Sequence, residues 1–144
     1  MILEFIVSHK ILVSVVLAVF FTQLIKIIIR LVALKDYSWH DIFRTGGMPS
    51  AHSALVVSLV LSIFLSEGFS TSFVIAFVFL TIVLRDAMGV RRSVGEEGKV
   101  LVKVANKLKM NTSELHVTMG HTPLQVLVGS LISIIVTILV YVIF

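Results

Sequence analysis

The chain reads as an all-α polytopic membrane bundle, with about four transmembrane helices and an amphipathic helix on one face. Three observations predict it. The sequence is 58% hydrophobic with a mean hydropathy of +1.09, above what a soluble globule carries. Only 14% of its 144 residues are charged, and those charges cluster between long apolar runs. The runs approach the length needed to cross roughly 30 Å of hydrocarbon at about 1.5 Å per residue. One membrane domain, 1–144, accounts for all of it.

The first expected span is Ile11–Ile29, with Lys26 and Arg30 spaced to snorkel from one face at its end. It has neither a basic n-region nor a small-x-small cleavage site, so it is read as a span rather than a signal peptide. The second is Pro49–Ser66, with Pro49 suited to a first helical turn, where its missing N–H costs nothing. The third, Phe69–Leu84, follows the tight Glu67-Gly68 turn, so the two form an antiparallel hairpin. The fourth is Pro123–Phe144.

Topology follows from the cations. Four of the twelve Lys/Arg fall between residues 26 and 48 and seven between 85 and 120, leaving only Lys10 elsewhere. The positive-inside rule places both segments in the cytoplasm and both chain ends outside. Before the last span, Val94, Leu101, Val104, Ala105 and Leu108 recur near a helical period beside Lys99, Lys103 and Lys107. This stretch reads as a helix lying on anionic inner-leaflet lipids or, equally, as a connecting helix with a solvated face. The net charge of +4 therefore points to a membrane surface, not nucleic acid. There is no cysteine, hence no disulfide framework or thiolate metal site, and no metal or cofactor is expected.

Chemistry concentrates on the cytoplasmic face. His52 lies in Gly46-Gly47-Met48-Pro49-Ser50-Ala51-His52 and His121 in Gly120-His121-Thr122-Pro123, each at the start of a long apolar run. Gly47 permits a tight turn, Ser50 offers a hydroxyl, and unsatisfied N–H groups at two helix starts favour an anion. Arg91 and Arg92 end the third span on the same face and can bind phosphate oxygens bidentately. Asp86 and Glu96 are placed to hold those arginines or orient a histidine. Taken singly, each has a plainer reading: an interfacial histidine, a topology-setting arginine pair, a Pro-Ser helix start. Together they suit a phosphate ester.

The blocks Gly46–His52, Asp86–Arg92 and Gly120–Gly129, in that order, resemble the divergent branch of the type-2 phosphatidic acid phosphatase superfamily, which also includes vanadium haloperoxidases. The similarity runs from about Gln23 to Ile135. It implies His121 as nucleophile, His52 as the acid that protonates the leaving group and Ser50 as the phosphate-binding serine. A phosphohistidine intermediate would follow.

The chain departs from the family pattern at three places. Gln125 stands where the orienting acid belongs, and Leu115 and His116 where an arginine belongs. The opening Lys-x6-Arg-Pro block is missing, since Lys35 and Arg44 have eight residues between them and no proline after. Arg91 and Arg92 are expected to replace the lost cations, and Asp86, Glu96 or Glu114 the lost carboxylate. The expected function is a membrane phosphatase acting on a lipid phosphate or pyrophosphate; the alternative is a non-catalytic lipid-phosphate binder or transporter of the same fold. A homodimer is a further expectation, because four spans are fewer than the family's membrane enzymes usually have.

Overall fold

The computed structural model describes residues 8–34, 47–110 and 120–144. Among these residues five helices run in order: α1 Lys10–Leu34, α2 Ala51–Glu67, α3 Thr71–Met88, α4 Val90–Lys107 and α5 Pro123–Ile143. Among the described residues, three helices are long and apolar enough to cross a membrane, and α2 is a shorter apolar helix of 17 residues. At 1.5 Å per residue α2 spans about 26 Å, somewhat less than the roughly 30 Å hydrocarbon layer. The molecule is a membrane-embedded all-α bundle.

Helix α2 is the hub: it packs on α1, α3 and α5, while α1 also meets α5 and α3 scarcely touches α5. The packing surfaces are rows of small residues four apart. On α1, Ser14, Ala18 and Thr22 are fully buried; on α2, Ala54, Ser58 and Ser62; on α5, Ser133 and Thr137. Residues i and i+4 form the ridges that interlock between helices. Large side chains point the other way: Phe20 is 58% exposed, Ile75 66% and Ile135 59%. Lipid tails are as apolar as leucine, so burying leucine between spans gains little, whereas small residues let backbones approach and hydroxyls bond across. Ser58 and Thr137 share a hydrogen bond of 2.8 Å, and the Tyr141 hydroxyl donates to the Ser62 carbonyl at 2.8 Å.

The α2–α3 hairpin forms as expected. Gly68, at φ +67°, donates its N–H to the Phe64 carbonyl at 2.9 Å. Ser70 caps α3 by accepting the Phe73 N–H at 3.2 Å and donates to Glu67 at 2.7 Å. Phe64, Phe69 and Phe73 pack their rings 5.1–5.6 Å apart around the turn.

Two boundaries and one side chain depart from expectation. Pro49 lies before α2 rather than in its first turn, because Ser50 takes the N-cap and the helix begins at Ala51. Helix α3 continues past Leu84 to Met88, and α4 starts after the single residue Gly89. The Gly89 N–H still reaches the Arg85 carbonyl at 2.8 Å, and the Ser93 N–H reaches Gly89 at 3.0 Å. Helical bonding therefore carries across the junction even though Gly89 leaves the α region at ψ −89°. The third departure is Lys26, taken up below.

Candidate functional site

The starts of α2 and α5 meet at one end of the bundle. The Ser50 N–H donates to the Gln125 carbonyl at 3.1 Å. Gly129 makes this approach possible: a Cβ there would fall 2.3 Å from the Ser50 carbonyl and 2.5 Å from Ser53 Oγ. Ser50 is fully buried and acts as a cap, its hydroxyl accepting the Ser53 N–H at 3.3 Å while Ser53 Oγ donates to its carbonyl at 2.9 Å.

His52 stands in the first turn of α2 and His121 two residues before α5. Their rings lie 5.8 Å apart, centroid to centroid, with planes inclined at 59°. His121 is held from three sides. Its backbone N–H donates at 2.9 Å to the Ala87 carbonyl, one of the unsatisfied acceptors at the end of α3. Its ring Nδ1 lies 3.3 Å from Gln125 Oε1. Gly120, just before it, lies against the α4 backbone, where a Cβ would come within 2.3 Å of the Arg92 nitrogen.

The same Gln125 oxygen accepts the Thr122 N–H at 3.0 Å, and Thr122 Oγ1 accepts the Gln125 N–H at 3.3 Å, a complete capping box. The box fixes which end of the amide is oxygen. Nδ1 of His121 is thus the donor toward Gln125, and in the neutral ring Nε2 keeps its lone pair. Burial, the largest influence, holds His121 below the ordinary histidine pKa. The Gln125 hydrogen bond works against that shift, His52 and the Lys26 cation reinforce it, and the Gly47 carbonyl opposes it.

Lys26 is where sequence reasoning fell short. Read as snorkelling, it is in fact only 5% exposed, and its charge acts on both imidazoles. Gly47, at φ +87°, sits against it: a Cβ there would be 3.4 Å from both Lys26 Cε and Arg30 Nη2. Both cations in the last three turns of α1 therefore border the turn leading to His52. A signal was present. Lys26 extends the row Ser14, Ala18, Thr22 by four residues, so it shares the face that enters the bundle.

The arginines of the α3–α4 junction are already engaged. Arg91 Nε bonds Asp86 at 2.6 Å, and both charges reach His52. Arg92 pairs with Glu96 at 3.4 Å on the exposed side of α4. Asp86 and Glu96 thus hold the arginines, and neither makes a described hydrogen bond to a histidine. Gly46, Lys35, Arg44, Glu114, Leu115 and His116 lie outside the described residues.

Two juxtaposed imidazoles, two helix starts and a buried ammonium make a site suited to phosphate, and sequence comparison agrees on the class. The chain belongs to the Divergent PAP2 family, whose model matches residues 7–136; it is a phosphatase-like membrane protein. Among curated proteins it is similar to the uncharacterized membrane protein YuiD of Bacillus subtilis (strain 168), 32% identical over 142 residues, covering 88% of this chain and 90% of that one. No solved structure matches.

Proposed function

We propose that the protein hydrolyses a lipid phosphate or pyrophosphate at the membrane face, the cytoplasmic one by the charge rule, through a phosphohistidine. The observation that carries this reading is the His52–His121 pair, with its rings 5.8 Å apart and the His121 Nδ1 turned to Gln125. Neutral His121 attacks phosphorus through Nε2. The bond to the leaving oxygen breaks, and protonated His52 supplies that oxygen with a proton. Water, deprotonated by His52, then attacks the phosphohistidine, releasing phosphate and the free His121 ring. Lys26 and Arg30, rather than Arg91 and Arg92 alone, fit the task of holding charge on the transferring group. Ser50 and Gly47 would shape the turn beneath the phosphate. No cofactor or metal enters these steps, and no nucleic acid is involved.

Lipid substrates suit this placement because their phosphate sits at the depth of the two helix starts while the tail stays in the bilayer. A second reading, a binder or transporter without turnover, is favoured by Gln125, since an amide gives no charge to stabilise an imidazolium.

The test is phosphate release by purified protein from phosphatidic acid, prenyl phosphates and prenyl pyrophosphates, beside His121→Ala. Turnover that the substitution abolishes supports the enzyme. Saturable binding of the same lipids with no turnover supports the binder.

A further inference from the structure

Among the described residues, helix α4 leaves an apolar face uncovered. On a wheel of 3.6 residues per turn, Val90, Val94, Leu101, Val104 and Leu108 share an arc of about 80°. All five are 48–66% exposed. Lys99, Lys103 and Lys107 occupy a second arc on the far side, and the helix carries five cations against the two carboxylates Glu96 and Glu97. Glu97 falls inside the apolar arc, between Val104 and Val90 on the wheel. Between the two arcs, Gly95 is buried and Gly98, Val102 and Ala105 are half-buried, so one face packs and the other does not.

Two features limit what can cover that face. α4 follows α3 after the single residue Gly89, so a membrane-spanning helix delivers it straight to the bilayer surface. Its end is closed as well. The Met110 N–H reaches the Ala105 carbonyl at 2.9 Å and the Lys109 N–H reaches Asn106 at 3.1 Å, with Lys109 at φ +57°. This is a Schellman stop, built here with another lysine.

We infer that α4 docks its Val90–Leu108 face into an anionic lipid surface, with Lys99, Lys103 and Lys107 meeting the head groups. Five aliphatic side chains supply the insertion, and the lysines supply the preference for negative lipid. The anchor is mechanically joined to the histidine site, because Gly120 rests on the Arg91–Arg92 backbone and His121 bonds Ala87. Docking would therefore steady that floor whether or not the site turns over substrate.

The chain contains no cysteine, so single labels can be placed cleanly. Full-length protein carrying an environment-sensitive fluorophore at Leu101→Cys or Lys103→Cys is reconstituted in phosphatidylcholine and in a phosphatidylcholine–phosphatidylglycerol mixture. The expected result is a blue-shifted label at Leu101→Cys, quenched by nitroxide-bearing lipids, and a label at Lys103→Cys open to iodide. Substituting all three lysines by glutamine should cut the preference for the phosphatidylglycerol mixture roughly a hundredfold, taking about fivefold per lysine. A Leu101→Cys label that stays in water in both membranes overturns the inference. So does one shielded from water but untouched by lipid quenchers, or one transferring energy to a second copy, because protein would then cover the face.

Discussion

Gln125 Oε1 lies 3.3 Å from His121 Nδ1 while accepting the Thr122 N–H at 3.0 Å, so one amide both caps α5 and sets the imidazole tautomer. Replacing it by glutamate keeps both acceptor contacts and adds a charge. Gln125→Glu should raise the His121 pKa and move the acidic limb of the pH–rate profile to higher pH, read from kcat/KM against pH. Gln125→Leu removes both contacts and leaves the Thr122 N–H without its acceptor, while the Thr122 cap itself stays, so the thermal midpoint should fall modestly. An unchanged pH limb in Gln125→Glu would show that the amide does not act on the ring.

Stability should carry the same signature. Burial lowers the His121 pKa in the folded state, so below about pH 6.5 the unfolded chain takes the proton first. Stability is then full above that pH and declines as pH falls toward the folded-state pKa, below which the loss levels off. Denaturation midpoints measured between pH 5 and 8 should show this slope. His121→Gln should flatten it.

His52 and His121 should separate by leaving group. His52→Asn should lose about 10²–10⁴-fold on a lipid phosphate, whose alkoxide needs a proton. Against p-nitrophenyl phosphate, whose leaving group needs none, it should lose far less. His121→Asn should be equally inactive on both. Equal losses for His52→Asn on the two substrates would remove its role as acid.

Lys26 should matter for phosphate binding. Lys26→Met keeps the length of the side chain and removes its charge, and circular dichroism checks that the fold is intact. Binding of inorganic phosphate or vanadate to the purified protein should weaken by one to two orders of magnitude, on the scale of one charge-assisted hydrogen bond at about 1.5–3 kcal/mol. If phosphate binding survived Lys26→Met while the fold was intact, the ammonium would belong to packing alone.

The Ser58–Thr137 bond permits a cycle. Either Ser58→Ala or Thr137→Val alone should cost more than half of the pair, because each strands a buried hydroxyl. The coupling energy should fall near 0.6 kcal/mol and below about 1.7 kcal/mol, the range found between membrane helices. Unfolding in mixed detergent micelles provides the measurement.

The spans were legible because hydropathy is a property of the chain read along its length, and so were the α2–α3 turn at Gly68 and the histidines at the starts of their helices. Ser50 was read for its hydroxyl as a phosphate ligand, and the structure shows that hydroxyl capping α2. Lys26 was misplaced because hydropathy gives depth along a helix but not the direction a side chain faces. Only the four-residue row Ser14, Ala18, Thr22 carries that direction. Gly120 and Gly129 bound the motif that holds His121, yet their function depends on the backbone of a distant helix, which no local pattern encodes. The pairing of Arg91 with Asp86 and of Arg92 with Glu96 was open in the sequence, since both acids were within reach of both arginines.

A bundle whose interior is Ser14, Ala54, Ser58, Ser62, Ser133 and Thr137 inverts the usual sensitivity of a core to mutation. Trimming these side chains removes little volume, so apart from the Ser58–Thr137 pair most truncations should pass almost unnoticed. Enlargement is the dangerous direction. One added methyl at Gly129 overlaps a backbone oxygen, and Ala54 or Ser58 grown to leucine would wedge α2 from its neighbours. A deep mutational scan would therefore map the path of closest helix approach by the largest residue each position tolerates. Read from Tyr141 to Gln125, that tolerance should narrow steadily toward the two histidines.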